Sequence, residues 1–181
     1  MVYNMTNLRN FTDSIKQSIV EKNYALNHKE MTMELVKHKN SKWLSLSFGE
    51  FTIKQIIDML NELIDDSDPD VHIGNSVHAF QTAEKIRADF PDEDWMHLTG
   101  LIHDLGKILC LWGEPQHLVV GDTYVMGCKF SDKIVFHKYF QDNPDAKSLF
   151  YQSKYGIYKP EQQSLDNLIM SWGHDDICIM Y

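Results

Sequence analysis

The dipeptide His-Asp occurs twice in this sequence, at His103-Asp104 and His174-Asp175. With 9 His and 17 Asp among 181 residues, chance alone supplies about one such pair, so context has to discriminate. The first pair closes an apolar stretch, HLTGLIHDLGK, which puts two polar groups on the core side of a helix terminus. A buried charge must be paired or must coordinate a metal. Consecutive helical residues point about 100° apart, so His103 and Asp104 cannot clamp one ion by stacking. A carboxylate can instead bridge two ions with its two oxygens, the imidazole serving one of them. His78 lies in VHAFQTAEKI, beside the face carrying Val77, Phe80 and Ala83, and reaches the same site if its helix packs antiparallel to the next. His174 is a fourth candidate. Any one of these histidines alone reads as a core residue hydrogen-bonded to backbone. The four groups together favour a metal centre, and imidazole with carboxylate and no nearby thiolate suits iron, manganese, cobalt or zinc.

Such a centre needs helices to hold it. Apolar spacing of Ile15, Ile19, Met31 and Leu35 predicts a helix from Asp13 to Lys39 after a loose arm over residues 1–12. The clearest pattern predicts a helix from Ile53 to Ile64 with one apolar face of Ile53, Ile56, Ile57, Leu60, Leu63 and Ile64. Thr52 and Gln55 form a capping box at its start. The acidic run Asp65 to Asp70 is a loop, because Pro69 and short acidic side chains favour turns. Asn75 or Ser76 caps a helix that carries His78, runs to about Asp89 and is closed by Pro91. The next begins after Asp92, buries Trp95, Leu98, Leu101, Ile102 and Leu105, and stops at Gly106. From Gly113 to Pro160 the chain reads as loop with a short hairpin over Val119 to Phe130. A last helix, Glu161 to Trp172, precedes Gly173 and His174. Trp95, Trp112 and the methionines read as core packing. The fold class is therefore all-α, in one domain over residues 1–181.

Composition removes several alternatives. A net charge of -9 opposes binding to phosphate backbones, so nucleic acid is not an expected partner. Three cysteines, far apart and without a CxxC pair, fit a reducing cytoplasm. No secretory leader and no apolar run of membrane-spanning length is evident, so no membrane association is expected.

The segments DSDPD, NSVHAFQTAEKIR, HLTGLIHDLGK, GEPQHLVVGDT, FQDNPD and MSWGHD, preceded by Leu8-Arg9-Asn10-Phe11, resemble the inositol oxygenase family in order and spacing over nearly the whole chain. That family is a divergent branch of the helical His-Asp domain proteins and holds two irons. The resemblance implies a helical bundle of that type, with His78 and His103 as ligands to one iron, Asp104 as the bridge and His174 on the second. It implies contacts to the cyclitol from Arg9, Asp65, Asp66, Ser67, Lys107, Gly121 and Asp122, with Lys107 also catalytic, easing the developing alkoxide. The implied reaction is ring cleavage of myo-inositol by O2 to D-glucuronate at a mixed-valent di-iron centre, in a cytoplasmic protein that is monomeric when complete.

Independently, a polyol site should be lined by short carboxylates, amides and backbone groups with a few cations, as these positions are. His72 stands where the family is expected to carry an acidic residue. The family also draws a further His and Asp from helices beyond the position of Tyr181, so the resemblance implies an incomplete bundle and an inactive oxygenase for these residues alone. Asp175 and Asp176, tethered beside His174, are not expected to replace those ligands. Two rival readings stand: a His-Asp phosphohydrolase using the same ligands on phosphate esters, which the acidic loops disfavour, and a non-catalytic fragment.

Overall fold

The computed structural model describes residues 17–45, 47–67, 74–160 and 164–178. Its helices are α1 (Gln17–Glu30), α2 (Met33–Trp43), α3 (Ile53–Leu60), α4 (Asn75–Asp89), α5 (Asp94–Ile102), α6 (Gln116–Val119) and α7 (His174–Cys178), joined by loops and short 3-10 turns. Among the described residues no strand forms, and one isolated antiparallel bridge joins Val125 to Met170. The chain is all-α, as its patterning predicts.

The helix expected from Asp13 to Lys39 is two helices over its described part. Thr32 takes an extended conformation (φ -116°, ψ 159°) and its hydroxyl accepts from the Leu35 amide, which starts α2. The carbonyls left at the end of α1 are taken by a distant side chain: Asn143 Nδ2 donates to His28 O at 2.6 Å and Met31 O at 2.8 Å. α3 begins with the predicted Thr52–Gln55 capping box but ends at Leu60, and Ile53 and Ile64 are exposed while Ile57, Leu60 and Leu63 are buried. α4 starts after Gly74. Asn75, expected as a candidate cap, instead donates its amide to the Leu60 and Leu63 carbonyls, tying α4 to the end of α3.

α4 and α5 run back along each other. His97 hydrogen-bonds Phe90 O, a Cβ on Gly100 would lie 2.6 Å from Ile86 Cδ1, and the rings of His78 and His103 stand 5.3 Å apart. The small residue at 100 permits this approach, which delivers both histidines to one end of the pair. The face predicted to be buried on α5 is covered only in part: Leu101, Ile102 and Leu105 are half-buried, but Trp95 is 65% and Leu98 50% exposed, because α5 turns Gly100 toward α4. After α5 the chain tightens into a 3-10 segment, Leu105–Cys110, so Gly106 does not stop a helix but lies within one.

The predicted last helix and hairpin are replaced by a single pairing. Met126 N–H donates to Ile169 O and Ser171 N–H to Tyr124 O, with Tyr124 N–H donating to Ser171 Oγ. These bonds hold residues 169–171 extended against 124–126, leaving a 3-10 turn at Leu165–Asn167. Trp172 is thereby carried into the main core with Met31, Met33, Val36, Leu109 and Phe140, as expected for the methionines. Trp112 is half-buried and stacks on Phe48 with ring centroids 4.5 Å apart. A smaller cluster of Leu60, Leu63 and Ile108 braces α3 against the 3-10 segment. No described helix is long and apolar enough to cross a membrane.

Candidate metal centre

Asp104 sits at the junction between α5 and the 3-10 segment and is 4% exposed. Its two oxygens face different partners. Oδ2 lies 3.5 Å from His78 Nε2 and 3.4 Å from His103 Nε2, while Oδ1 lies 3.4 Å from His174 Nε2. His78, His103 and Asp104 each offer a donor atom within 4.8 Å of the others, the one such group found among the described residues.

The imidazoles are aimed by their other nitrogens. His103 Nδ1–H donates to Gly100 O at 2.8 Å, one turn back, and His174 Nδ1–H donates to Val119 O at 2.8 Å, so each ring presents Nε2 to Asp104. A backbone acceptor on the far nitrogen is the usual device for orienting a metal-binding histidine. Asp104 Oδ2 is fully buried and has no hydrogen bond to satisfy it, although Lys107 Nζ stands 3.0 Å away as an ion-pair partner. The Lys107 ammonium offsets only part of the cost of burying that oxygen without a hydrogen bond. A cation between Oδ2 and the two imidazoles removes that cost, so the residues present fit a metal.

The surrounding charges are coupled. Burial pushes the Asp104 carboxyl up, but the His174 hydrogen bond and the Lys107 and His103 charges hold it well below the ordinary carboxylate range. Burial would depress His174, yet the bond to Asp104 and the nearby Asp175 raise it. Lys107 is 8% exposed and bridges two carboxylates, reaching Asp65 Oδ2 at 2.7 Å as well as Asp104. Burial opposes its charge, and those two acids outweigh it and raise its pKa. Asp65, from the acidic loop, is 3% exposed; burial pushes it up, Lys107 and Ser67 pull it lower, and its Oδ1 accepts from Ser67 N–H and Oγ–H.

All of these groups open onto one polar cleft of about 370 Å³. It gathers His78, His103, Asp104, His174, Lys107, Asp65, Ser67, Gly121 and Asp122 from the sequence expectations. Gly121 adopts φ +104°, a conformation that only glycine takes without strain, so the Gly121-Asp122 pair can turn beneath the cleft. Asp66 does not line it; its backbone N–H is bound by Gln116 Oε1. Arg9 and His72 lie outside the described residues. Asp175, the acid of the second His-Asp pair, lines it as well, together with two residues not singled out above, Tyr24 and Thr123. Thr123 adjoins the Gly121-Asp122 pair, so adjacency could have found it, whereas Tyr24 comes from a polar helix with no motif.

Known proteins match this sequence closely. The sequence profile of the family described as Myo-inositol oxygenase matches residues 17–181. Inositol oxygenase of Rattus norvegicus is 48% identical over 169 residues, covering 93% of this chain and 59% of the relative. Inositol oxygenase 1 of Arabidopsis thaliana is 50% identical over 167 residues, covering 91% of this chain and 53% of the relative. Inositol oxygenase of Danio rerio is 48% identical over 172 residues, covering 94% and 62%. The chain thus spans little more than half of the length of these relatives. A profile match from the first described residue onward, over the same histidines, aspartates and lysine that converge in the cleft, shows that the chain belongs to the myo-inositol oxygenase family.

Proposed function

We propose that this chain carries the metal and polyol site of an inositol oxygenase, a cytoplasmic, monomeric enzyme that cleaves myo-inositol with O2 to D-glucuronate. The observation that supports this reading best is the division of the two Asp104 oxygens between a His78–His103 side and a His174 side. Two irons held on those sides would supply the Lewis acidity and redox capacity that ring cleavage requires.

The protein's own groups do the rest. Asp65, Ser67 and Asp122 offer acceptors for ring hydroxyls on one wall of the cleft. Lys107 holds a proton-rich ammonium between Asp65 and Asp104, where it stabilises negative charge developing on a bound hydroxyl oxygen. Buried, oppositely charged neighbours fix that ammonium in place before substrate arrives, so little reorganisation accompanies the reaction. Carboxylates on the cleft walls accept hydroxyl protons and repel phosphate, which favours a polyol over the phosphate ester of a His-Asp phosphohydrolase.

The test is calorimetric titration of the protein, loaded anaerobically with ferrous iron, with myo-inositol and with a phosphate monoester. We expect saturable myo-inositol binding and none of the ester. Ester binding that exceeds myo-inositol binding, with phosphate release, would overturn the reading in favour of the hydrolase.

A further inference from the structure

The 3-10 segment Leu105–Cys110 has faces that the metal centre does not use. Asp104 and Lys107 line the polar cleft, and Lys107 N–H donates to Asp104 O at 3.0 Å, the i to i+3 bond of this helix type. Residues three apart eclipse one another in such a helix, so Leu105 and Ile108 share a second edge and Gly106 and Leu109 a third. All four line an apolar cavity of about 430 Å³. A single 3-10 segment is therefore a wall of both the cavity and the cleft. At Gly106 that wall carries no side chain and packs directly on a cleft residue, since a Cβ there would lie 2.0 Å from His174 O. The cavity runs from a buried floor of Trp43, Ile108 and Leu109 to an exposed rim of Phe48, Phe51 and Ile53. Phe48 and Phe51 both pack on Trp112, with ring centroids 4.5 and 5.4 Å from its own. Among the described residues Glu50 is the one charged group that lines it, and Glu50 is exposed.

Such a lining offers no converging polar groups to orient a sugar, a nucleotide or a peptide. Cavities bounded by Leu, Ile and Phe stay dry and take up nonpolar guests such as xenon. Dioxygen is a guest of that kind, and the proposed ring cleavage at the neighbouring cleft consumes it. We infer that this cavity is a dioxygen site, which collects the gas from solvent at the Phe48–Phe51–Ile53 rim and supplies it to the metal centre across the 3-10 segment. The inference rests on the oxygenase reading of the cleft. A nonpolar diatomic gains by leaving water for an apolar lining, so the cavity raises its local concentration without any polar contact. The two co-substrates are thereby kept on separate faces of one segment, the polyol among carboxylates and the Lys107 ammonium, the gas among Leu, Ile and aromatic side chains.

The experiment loads the full chain with diamagnetic Zn2+, which keeps signals near the centre sharp, and titrates it with xenon under pressure while following isoleucine methyl resonances. Ile56 and Ile108 should shift saturably, and Ile134 and Ile157, which line neither cavity nor cleft, should not. Ile53→Trp fills the rim and should weaken xenon binding at least about ten-fold, whereas Leu165→Trp, at an exposed site elsewhere, should match the parent. Thermal melts check that both variants fold. The chain loaded anaerobically with ferrous iron is then mixed with myo-inositol and buffers of rising oxygen content, and iron oxidation is followed optically. Ile53→Trp, and xenon added to the parent, should each shift the oxygen dependence to higher concentration with iron content and myo-inositol binding unchanged. Xenon competition needs no substitution, so it decides the case if Ile53→Trp fails to fold. Absent xenon shifts, or shifts spread equally over all isoleucines, would overturn the dioxygen site. A dimer in sedimentation equilibrium that excludes xenon would assign the face to a second copy and overturn it likewise. Xenon binding with an unaltered oxygen dependence would overturn the supply role while leaving the oxygenase reading intact. Bound ferrous iron that does not react with oxygen would overturn that reading and the inference with it.

Discussion

Gly106→Ala should uncouple the two sides of the candidate metal centre without touching a proposed ligand. A Cβ at this position would lie 2.0 Å from the His174 carbonyl oxygen, 2.7 Å from its carbonyl carbon and 2.8 Å from its Cα. All three atoms are backbone, so no rotamer change relieves the overlap. The position itself has no left-handed φ, and the effect is therefore steric rather than conformational. α7 must withdraw from the 3-10 segment by more than 1 Å, by rough comparison with an ordinary van der Waals contact. Over-packing of this kind costs about 1–3 kcal/mol, and backbone-on-backbone overlap belongs at the upper end. Withdrawal carries His174 Nε2 away from Asp104 Oδ1, now 3.4 Å distant, while His78 and His103 stay beside Oδ2. Urea unfolding should show a loss of about 3 kcal/mol, and metal titration should show the first ion retained and the second weakened. Gly113→Ala is the control: it has φ +94° and nothing within 4 Å, so it should cost about 1 kcal/mol and leave both ions in place. A Gly106→Ala protein with parental stability and both ions would refute the close seating of His174 on Gly106.

Lys107→Met should leave the buried Asp65 and Asp104 without their shared cation, destabilising the metal-free protein by about 3 kcal/mol in urea unfolding, with partial recovery when a divalent ion is added; an unchanged midpoint would contradict the pairing. Stability should also fall in mild acid because of His28, which is fully buried, donates from Nε2 to Val135 O at 2.7 Å and stacks on Phe140. Burial lowers its pKa from 6.5 to about 4, so the unfolded chain takes up a proton that the folded chain refuses. Its contribution is complete above pH 6.5, is lost as the pH falls toward 4 and is level below that, a total of about 3 kcal/mol. His28→Phe should flatten that slope in unfolding experiments run across this range.

Legibility in the sequence followed how local the determining physics is. The capping box of α3 and the extent of α4 are short-range features, and both are where the pattern puts them. His78, His103, Asp104 and His174 were legible as one constellation because polar groups in apolar helical context have few other uses. The division of α1 from α2 depends on Asn143, more than a hundred residues away, taking the carbonyls of His28 and Met31. The extended run at 169–171 depends likewise on residues 124–126. Periodicity carries no trace of such partners. Lys107, taken alone, has the composition of a surface charge, and its burial follows only from Asp65 and Asp104 closing over it. Tyr24 reaches the cleft through tertiary packing, with nothing in its own helix to announce it.

Iron content with EPR after partial oxidation tests the proposed bridging of two ions by Asp104. Reconstituted anaerobically with ferrous iron, the parent should retain two irons per chain and give a coupled mixed-valent signal that shifts when myo-inositol is added. Asp104→Ala should lose both irons and the signal together, because each ion loses a ligand. Retention of as much iron by Asp104→Ala as by the parent, or a parental spectrum of isolated ferric ions indifferent to myo-inositol, would rule out the Asp104 bridge.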